Sequence, residues 1–165
     1  MLPMSVGDNL SFAAIDRLSH AGVIDRQAER KAIEEMIRLL AIRTAGTDIP
    51  VGALSGGNQQ KVVIAKWLMV SPRIILLNDP TRGIDVGTKQ ELYKLLRQLA
   101  ESGVAIIFYS TDYDELINCC NRVLVLYDGS VISELEGEGI TDRALVASAL
   151  SIGADKGSQA PAVAR

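Results

Sequence analysis

The sequence has no G-x-x-x-x-G-K-[ST] run, so it lacks a complete loop for cradling nucleotide phosphates. The nearest stretch, 52–57, has glycines at both ends. It continues with Asn58-Gln59 where a lysine and a hydroxyl would be needed. Histidine is scarce: His20 stands alone on a polar stretch read as helical and solvated. That argues against a zinc site or a Ser-His-Asp triad built on it. The two cysteines, Cys119 and Cys120, are adjacent and have no metal-ligand spacing. They read as ordinary thiols in a reducing compartment. Basic residues are not in excess, with 17 Lys+Arg against 20 Asp+Glu and a net charge of −3. This balance argues against a non-specific binder of nucleic acid or anionic membrane. No apolar run reaches the roughly 20 residues of a bilayer span, and the longest candidate, 62–70, is broken by Lys66. Met1-Leu2-Pro3-Met4 has neither the basic region nor the apolar run of a secretory signal. A cytoplasmic protein is expected.

What is present suits a folded chain. Hydrophobic residues make up 48% of the 165 positions and charged residues 22%, a globular balance. The first third reads as helical. Asp8-Asn9 is placed to cap a helix reaching about Leu18. Asp25 is placed to cap a second, with Ala32, Ile33, Met36, Ile37 and Leu40 on one face. Gln27, Lys31, Glu34 and Arg38 fall opposite. Residues 44–50 read as a loop.

Ser55-Gly56-Gly57 then opens a helix expected over 58–69, ended by Pro72. Residues 73–78 form an apolar run like a strand covered on both faces. A helix over 86–101 follows, with Leu92, Leu95, Leu96 and Leu99 apolar, and Gly103 stops it. Residues 104–109 are a second apolar strand. Strand, helix, strand at this spacing is a parallel crossover unit. A short helix over 113–119 leads to two strands, 122–127 and 131–135, flanking Asp128-Gly129, a hairpin signal. Thr141 caps a last helix reaching about Leu150, and 151–165 reads as a disordered tail.

Three places carry chemistry. Ser55-Gly56-Gly57 at a helix start can bind an anion, because glycines let backbone N–H groups approach and the helix dipole favours negative charge. Taken alone, Gly-Gly before a helix more often serves as a plain turn. Asn78-Asp79 ends a strand, where ligands sit in open α/β sheets. A carboxylate there holds Mg²⁺ or orients a water, or simply caps a loop before Pro80. Thr111 follows the next strand and should lie near Asn78-Asp79. Either Thr111 or Asp112 can also cap the following helix.

In this order these elements resemble the ABC transporter ATPase family. The signature resembles Leu54-Ser55-Gly56-Gly57-Asn58-Gln59-Gln60-Lys61, and the Walker B strand resembles 74–79. The D-loop is similar to Gly83-Ile84-Asp85, and the switch position to Thr111. The form most resembles the second ATP-binding domain of tandem monosaccharide importers, over about 5–150. The resemblance implies a partial P-loop NTPase fold of α/β class. A helical subdomain over 1–70 would precede a parallel β-α-β core with a C-terminal hairpin over 71–150.

The resemblance also implies a mechanism. Two such domains sandwich ATP and Mg²⁺ head to tail. Ser55, Gly56 and Gly57 would contact the γ-phosphate of ATP held by a partner domain, with Asn58 and Gln59 near its ribose and Asp85 in the D-loop. The helical first third would face transmembrane permease subunits, placing the protein at the cytoplasmic side of the inner membrane. No nucleic-acid partner is implied. A DNA-repair ATPase shares an LSGG-type signature, but this chain has no heptad run and an acidic pI of about 5.2.

Several positions depart from the family pattern. The Walker A strand and the glutamine loop should precede Ser5 and are absent, so uncovered apolar faces and marginal stability or self-association are expected. Asn78 stands where the family has a Mg²⁺-associated aspartate. Asp79 stands at the catalytic glutamate, on a stem shorter by about 1.5 Å. Thr111 stands at the switch histidine. A misplaced general base loses part of a roughly 10²–10⁴-fold contribution. These departures imply a weak ATPase, or a non-catalytic partner domain that donates only its signature in trans and regulates assembly.

Overall fold

In the computed structural model, residues 2–151 are described. The tail expected over 151–165 lies outside them, except that Ser151 ends the last helix. The chain packs as two units, one ending at Tyr109 and the other beginning at Ser110.

The first unit begins with α1 (Val6–Ser11), capped by Ser5, whose Oγ accepts the Asp8 N–H at 3.0 Å. The cap is therefore Ser5, and the expected Asp8-Asn9 lies inside the helix. Nor does the helix run on to Leu18: it tightens into a 3₁₀ turn at Phe12–Ala14. A small hairpin that the sequence reading did not anticipate follows, β1 (Ser19–His20) paired antiparallel with β2 (Val23–Ile24). Its turn, Ala21-Gly22, has positive φ at both residues, as a two-residue hairpin demands. His20 thus sits exposed on a strand and not on a helix.

Asp25 caps α2 (Arg26–Leu39) as expected, accepting the N–H groups of Gln27 and Ala28. Its predicted apolar face is the one that packs inward, and Gln27, Lys31, Glu34 and Arg38 are exposed. The loop after it ends in a 3₁₀ turn, Val51–Ala53, and holds α1 from outside. Thr47 and Ile49 carbonyls accept the Gly7 and Val6 N–H groups at 2.8 and 2.9 Å. This answers the unpaired donors of the helix start.

Next comes α3 (Gly56–Leu68), starting two residues earlier than expected. β3 (Ile74–Asn78) follows, then α4 (Val86–Glu101) and β4 (Ala105–Tyr109). β3 and β4 pair in parallel, from Ile74 with Ala105 to Asn78 with Tyr109, as the crossover spacing predicted. Gly103, at φ 93°, ends the turn out of α4 where a side chain would be strained. One core joins these elements: Val6 and Leu10 from α1, Ile33 from α2, Val62 and Ala65 from α3, Ile75 from β3 and Leu92 from α4.

The strand was expected to be covered on both faces. Only one face is: Ile75 is buried, whereas Leu76 is 72% and Ile107 62% exposed. The helices of this unit pack on one side of the two strands, so alternate residues remain bare on the other.

The second unit holds α5 (Tyr113–Cys119), β5 (Arg122–Tyr127), β6 (Ser130–Glu136) and α6 (Asp142–Ser151). β5 and β6 form the predicted hairpin, with Asp128-Gly129 at positive φ in its turn. A 3₁₀ turn, Gly137–Gly139, leads to α6. Thr141 Oγ1 accepts the Ala144 N–H at 3.2 Å, as its predicted capping role requires. Both cysteines are free thiols. Among the described residues no helix is long and apolar enough to cross a membrane.

Candidate functional site

Ser55 takes the extended cap conformation at the start of α3, but its side chain bonds no helix N–H. The first-turn amides of α3 therefore carry no side-chain cap, and Ser55 and Gly56 are exposed. Unpaired donors at the positive end of a 13-residue helix attract an anion. Gly57 is buried, and the reason is its neighbour. A Cβ built there would lie 2.7 Å from Thr88 Cγ2. Gly56 has more room, with the Gly83 carbonyl 3.7 Å from its built Cβ. The structure thus brings the signature glycines against the turn 83–88, which the sequence separates from them by some 30 residues. A cleft of about 370 Å³ opens beside them, lined in part by Gly56, Gln59, Arg82 and Gly83.

Asp85 caps α4. Its Oδ1 accepts the Thr88 N–H at 3.0 Å and its Oδ2 accepts the Thr88 hydroxyl at 2.7 Å. These two bonds hold its carboxyl below the usual aspartate range. The fold thereby fixes Thr88, the residue that Gly57 must clear.

Asn58 and Gln59 turn back into the chain. Asn58 bonds the Arg43 N–H and Ser55 Oγ, at 2.8 and 2.9 Å. Gln59 donates to the Leu54 carbonyl at 2.8 Å. Lys61 is buried under the same helix. Its Nζ donates to Glu91 at 2.5 Å and to the Ala41 carbonyl at 3.2 Å. Sequence reading singled out none of Arg43, Thr88 and Glu91, because their partners are 15 to 31 positions away and no local pattern marks them. For Lys61 the signal was fainter: it directly precedes the apolar run 62–65 of the same helix, where a charged head group drawn inward needs a partner.

Asn78 is the last residue of β3 and is exposed. Asp79 leaves the strand at φ 43°, a left-handed conformation that aspartate tolerates better than most residues. Its N–H donates to the Tyr109 carbonyl at 2.9 Å. One amide oxygen and one carboxylate are too few to hold Mg²⁺ alone. Phosphate oxygens and waters would complete its octahedron, as they do in nucleotide sites. Thr111 is exposed and lies in the other unit, two residues after Tyr109. Asp112 caps α5 there, accepting the Asp114 N–H at 3.1 Å.

Acid should weaken this assembly. Glu91 titrates below its usual range, through its hydrogen bond to Lys61 and the attraction of that charge. A carboxyl lowered by folding stabilises the fold above its unfolded pKa, and the gain is lost as pH falls through the folded value. Glu91 is 49% exposed, so water screens the pair to within about 1 kcal/mol. Between pH 7 and 3 the urea midpoint of the wild-type chain should fall more steeply than that of Lys61→Met. Parallel slopes would show that the pair adds nothing.

A signature at an uncapped helix start, packed on the turn after a parallel strand that ends in Asn-Asp, is the arrangement of an ATP-binding cassette. The chain belongs to the ABC transporter ATP-binding family. The profile described as ABC transporter matches residues 2–82. A ribose import ATP-binding protein of Mesorhizobium japonicum is 75% identical over 92% of this chain and 30% of that protein. A second, from Rhizobium johnstonii, is 68% identical over 96% of this chain and 31% of its own length. A xylose import ATP-binding protein of Photobacterium profundum is 38% identical over 90% and 29%. The chain thus spans about 30% of the length of these curated relatives. Among solved structures, a cassette described as dimeric, bound to ADP and Pi after hydrolysis, superposes with a TM-score of 0.71. It is 26% identical, covering 82% of this chain and 58% of that one.

Proposed function

We propose that this chain is part of the ATP-binding, energy-coupling component of a sugar importer, and that it offers its signature in trans to ATP held by a partner cassette. The uncapped start of α3, with Ser55 and Gly56 exposed beside the turn 83–88, carries the reading. The relatives named for ribose and xylose import indicate the sugar class. In this reading Ser55, Gly56 and Gly57 meet the γ-phosphate across the interface, and Asp85 shapes the turn that faces it. Asn58 and Gln59 lie toward the ribose by position, although their amides are held within the chain. Asp79 would be the base that orients water, Thr111 would contact the terminal phosphate, and Asn78 would offer an oxygen toward Mg²⁺. The helical elements before residue 70 would form the subdomain facing the permease, and 71–150 the core. The protein would then work at the cytoplasmic face of the inner membrane.

The neutral oxygen of Asn78 at the metal position favours a second reading, in which the chain donates its signature without turnover of its own. A fluorescent ATP analogue with Mg²⁺ tests the trans donation that both readings share. The chain alone should not bind it. Mixed with a complete cassette that has its own phosphate loop, the chain should slow release of the analogue. Micromolar binding by the chain alone, or an unchanged release rate on mixing, overturns the trans reading.

A further inference from the structure

Asn58 holds two partners at once, and their chemistry dictates which way its amide faces. A backbone N–H can only donate, so the atom facing Arg43 N at 2.8 Å is the carbonyl Oδ1. The amino group is then what reaches Ser55 Oγ at 2.9 Å. An amino group in turn can only donate, so Ser55 Oγ is the acceptor. The hydroxyl hydrogen of Ser55 is left to point elsewhere. Ser55 is exposed and makes no cap bond to α3.

We propose that Asn58 is a positioning residue: it fastens Ser55 Oγ as an acceptor and thereby sets the Ser55 O–H to donate to the terminal phosphate of a partner-held nucleotide. The inference rests on the trans function proposed above and adds the group that orients its hydroxyl. The brace comes from behind the site. Arg43 lies just after the turn that closes α2, where Ala41 sits at φ 47° and the Ile42 N–H bonds the Ile37 carbonyl at 2.9 Å. Lys61, one turn along α3 from Asn58, holds the same turn through the Ala41 carbonyl. Two side chains of one helix therefore grip one turn, and Asn58 carries that rigidity forward to Ser55. A hydroxyl fixed in its donating orientation loses less freedom on binding than a free rotor.

Asn58→Asp separates positioning from mere support. The carboxylate still accepts the Arg43 N–H, so the loop stays fastened and the thermal midpoint should move little. It has no donor for Ser55, whose hydroxyl turns toward it and away from the ligand. A complete ATP-binding cassette holding the Mg²⁺-bound fluorescent ATP analogue is the probe. The slowing of nucleotide release by the 165-residue chain should shrink about ten- to a hundred-fold on Asn58→Asp, the worth of one hydrogen bond to a charged group. In a Ser55→Ala background the same substitution should lose most of its effect, because the hydroxyl to be turned is gone. A full Asn58→Asp effect persisting without Ser55 overturns the inference and assigns the loss to the added charge.

A second measurement needs no nucleotide. Ser55→Ala should shift the Asn58 side-chain amino resonances while leaving the Arg43 backbone amide in place. Unmoved Asn58 resonances overturn the inference. Should the wild-type chain leave nucleotide release by the cassette unchanged, it is the trans function that fails. The resonances alone then decide the Asn58–Ser55 arrangement.

Discussion

Gly57→Ala is expected to lower the urea midpoint by an amount equivalent to about 1–3 kcal/mol, the usual cost of overpacking, while Gly56→Ala leaves stability unchanged or slightly raised. The two glycines are adjacent on one helix, so helix propensity alone predicts a gain of up to about 1 kcal/mol at both. Space decides the sign. The Cβ added at Gly57 meets three atoms of Thr88 at 2.7, 2.9 and 3.1 Å, all inside ordinary contact. Thr88 cannot swing aside cheaply, because its hydroxyl and its N–H are both bonded to Asp85. The Cβ added at Gly56 has one neighbour, at 3.7 Å. Adding Thr88→Ala to Gly57→Ala removes two of the three clashing atoms and should recover part of the loss. Equal midpoints for the two single variants would mean that α3 and the turn 83–88 are not in contact in solution. The same displacement of α3 should abolish the chain's effect on nucleotide release by a partner cassette.

The second large effect is in the core. Leu10→Ala should cost about 2–5 kcal/mol, the range for truncating a fully buried leucine. Leu10 has no exposed surface, and it packs with Val6, Ile33, Val62 and Ala65, which come from three helices. Phe12→Ala, two residues on, should change stability by no more than about 0.5 kcal/mol, because Phe12 is 51% exposed. Circular dichroism during urea unfolding reads both. A Leu10→Ala loss as small as that of Phe12→Ala would show that α1 does not pack on α2 and α3.

Much of the fold was legible because its signals are local. Asp25 before an amphipathic stretch, Asp128-Gly129 between two apolar runs and Thr141 before the last helix each act within four residues, and each does in the structure what its chemistry predicts. The crossover from β3 through α4 to β4 was legible from length and apolar content. The first turn was misread because Ser5, Asp8 and Asn9 are all good caps, and the carbonyls of Thr47 and Ile49 decide among them by pairing the donors at Gly7 and Val6. The β1–β2 hairpin was missed because Ala21-Gly22 is a weaker turn signal than Asn-Gly or Asp-Gly.

The candidate site divides in the same way. The sequence by itself determined that a Ser-Gly-Gly helix start, an Asn-Asp strand end and a Gly-Ile-Asp turn exist, since each is a short run of residues whose backbone preferences and polar groups act on near neighbours. Only the tertiary structure decided that Gly57 touches Thr88, that Lys61 is buried against Glu91, and that Asn58 spans from Arg43 to Ser55. It also decided that β3 and β4 bury one face and leave the other bare. These outcomes depend on which distant segments the common core draws together, and a linear pattern of residues does not carry that distance.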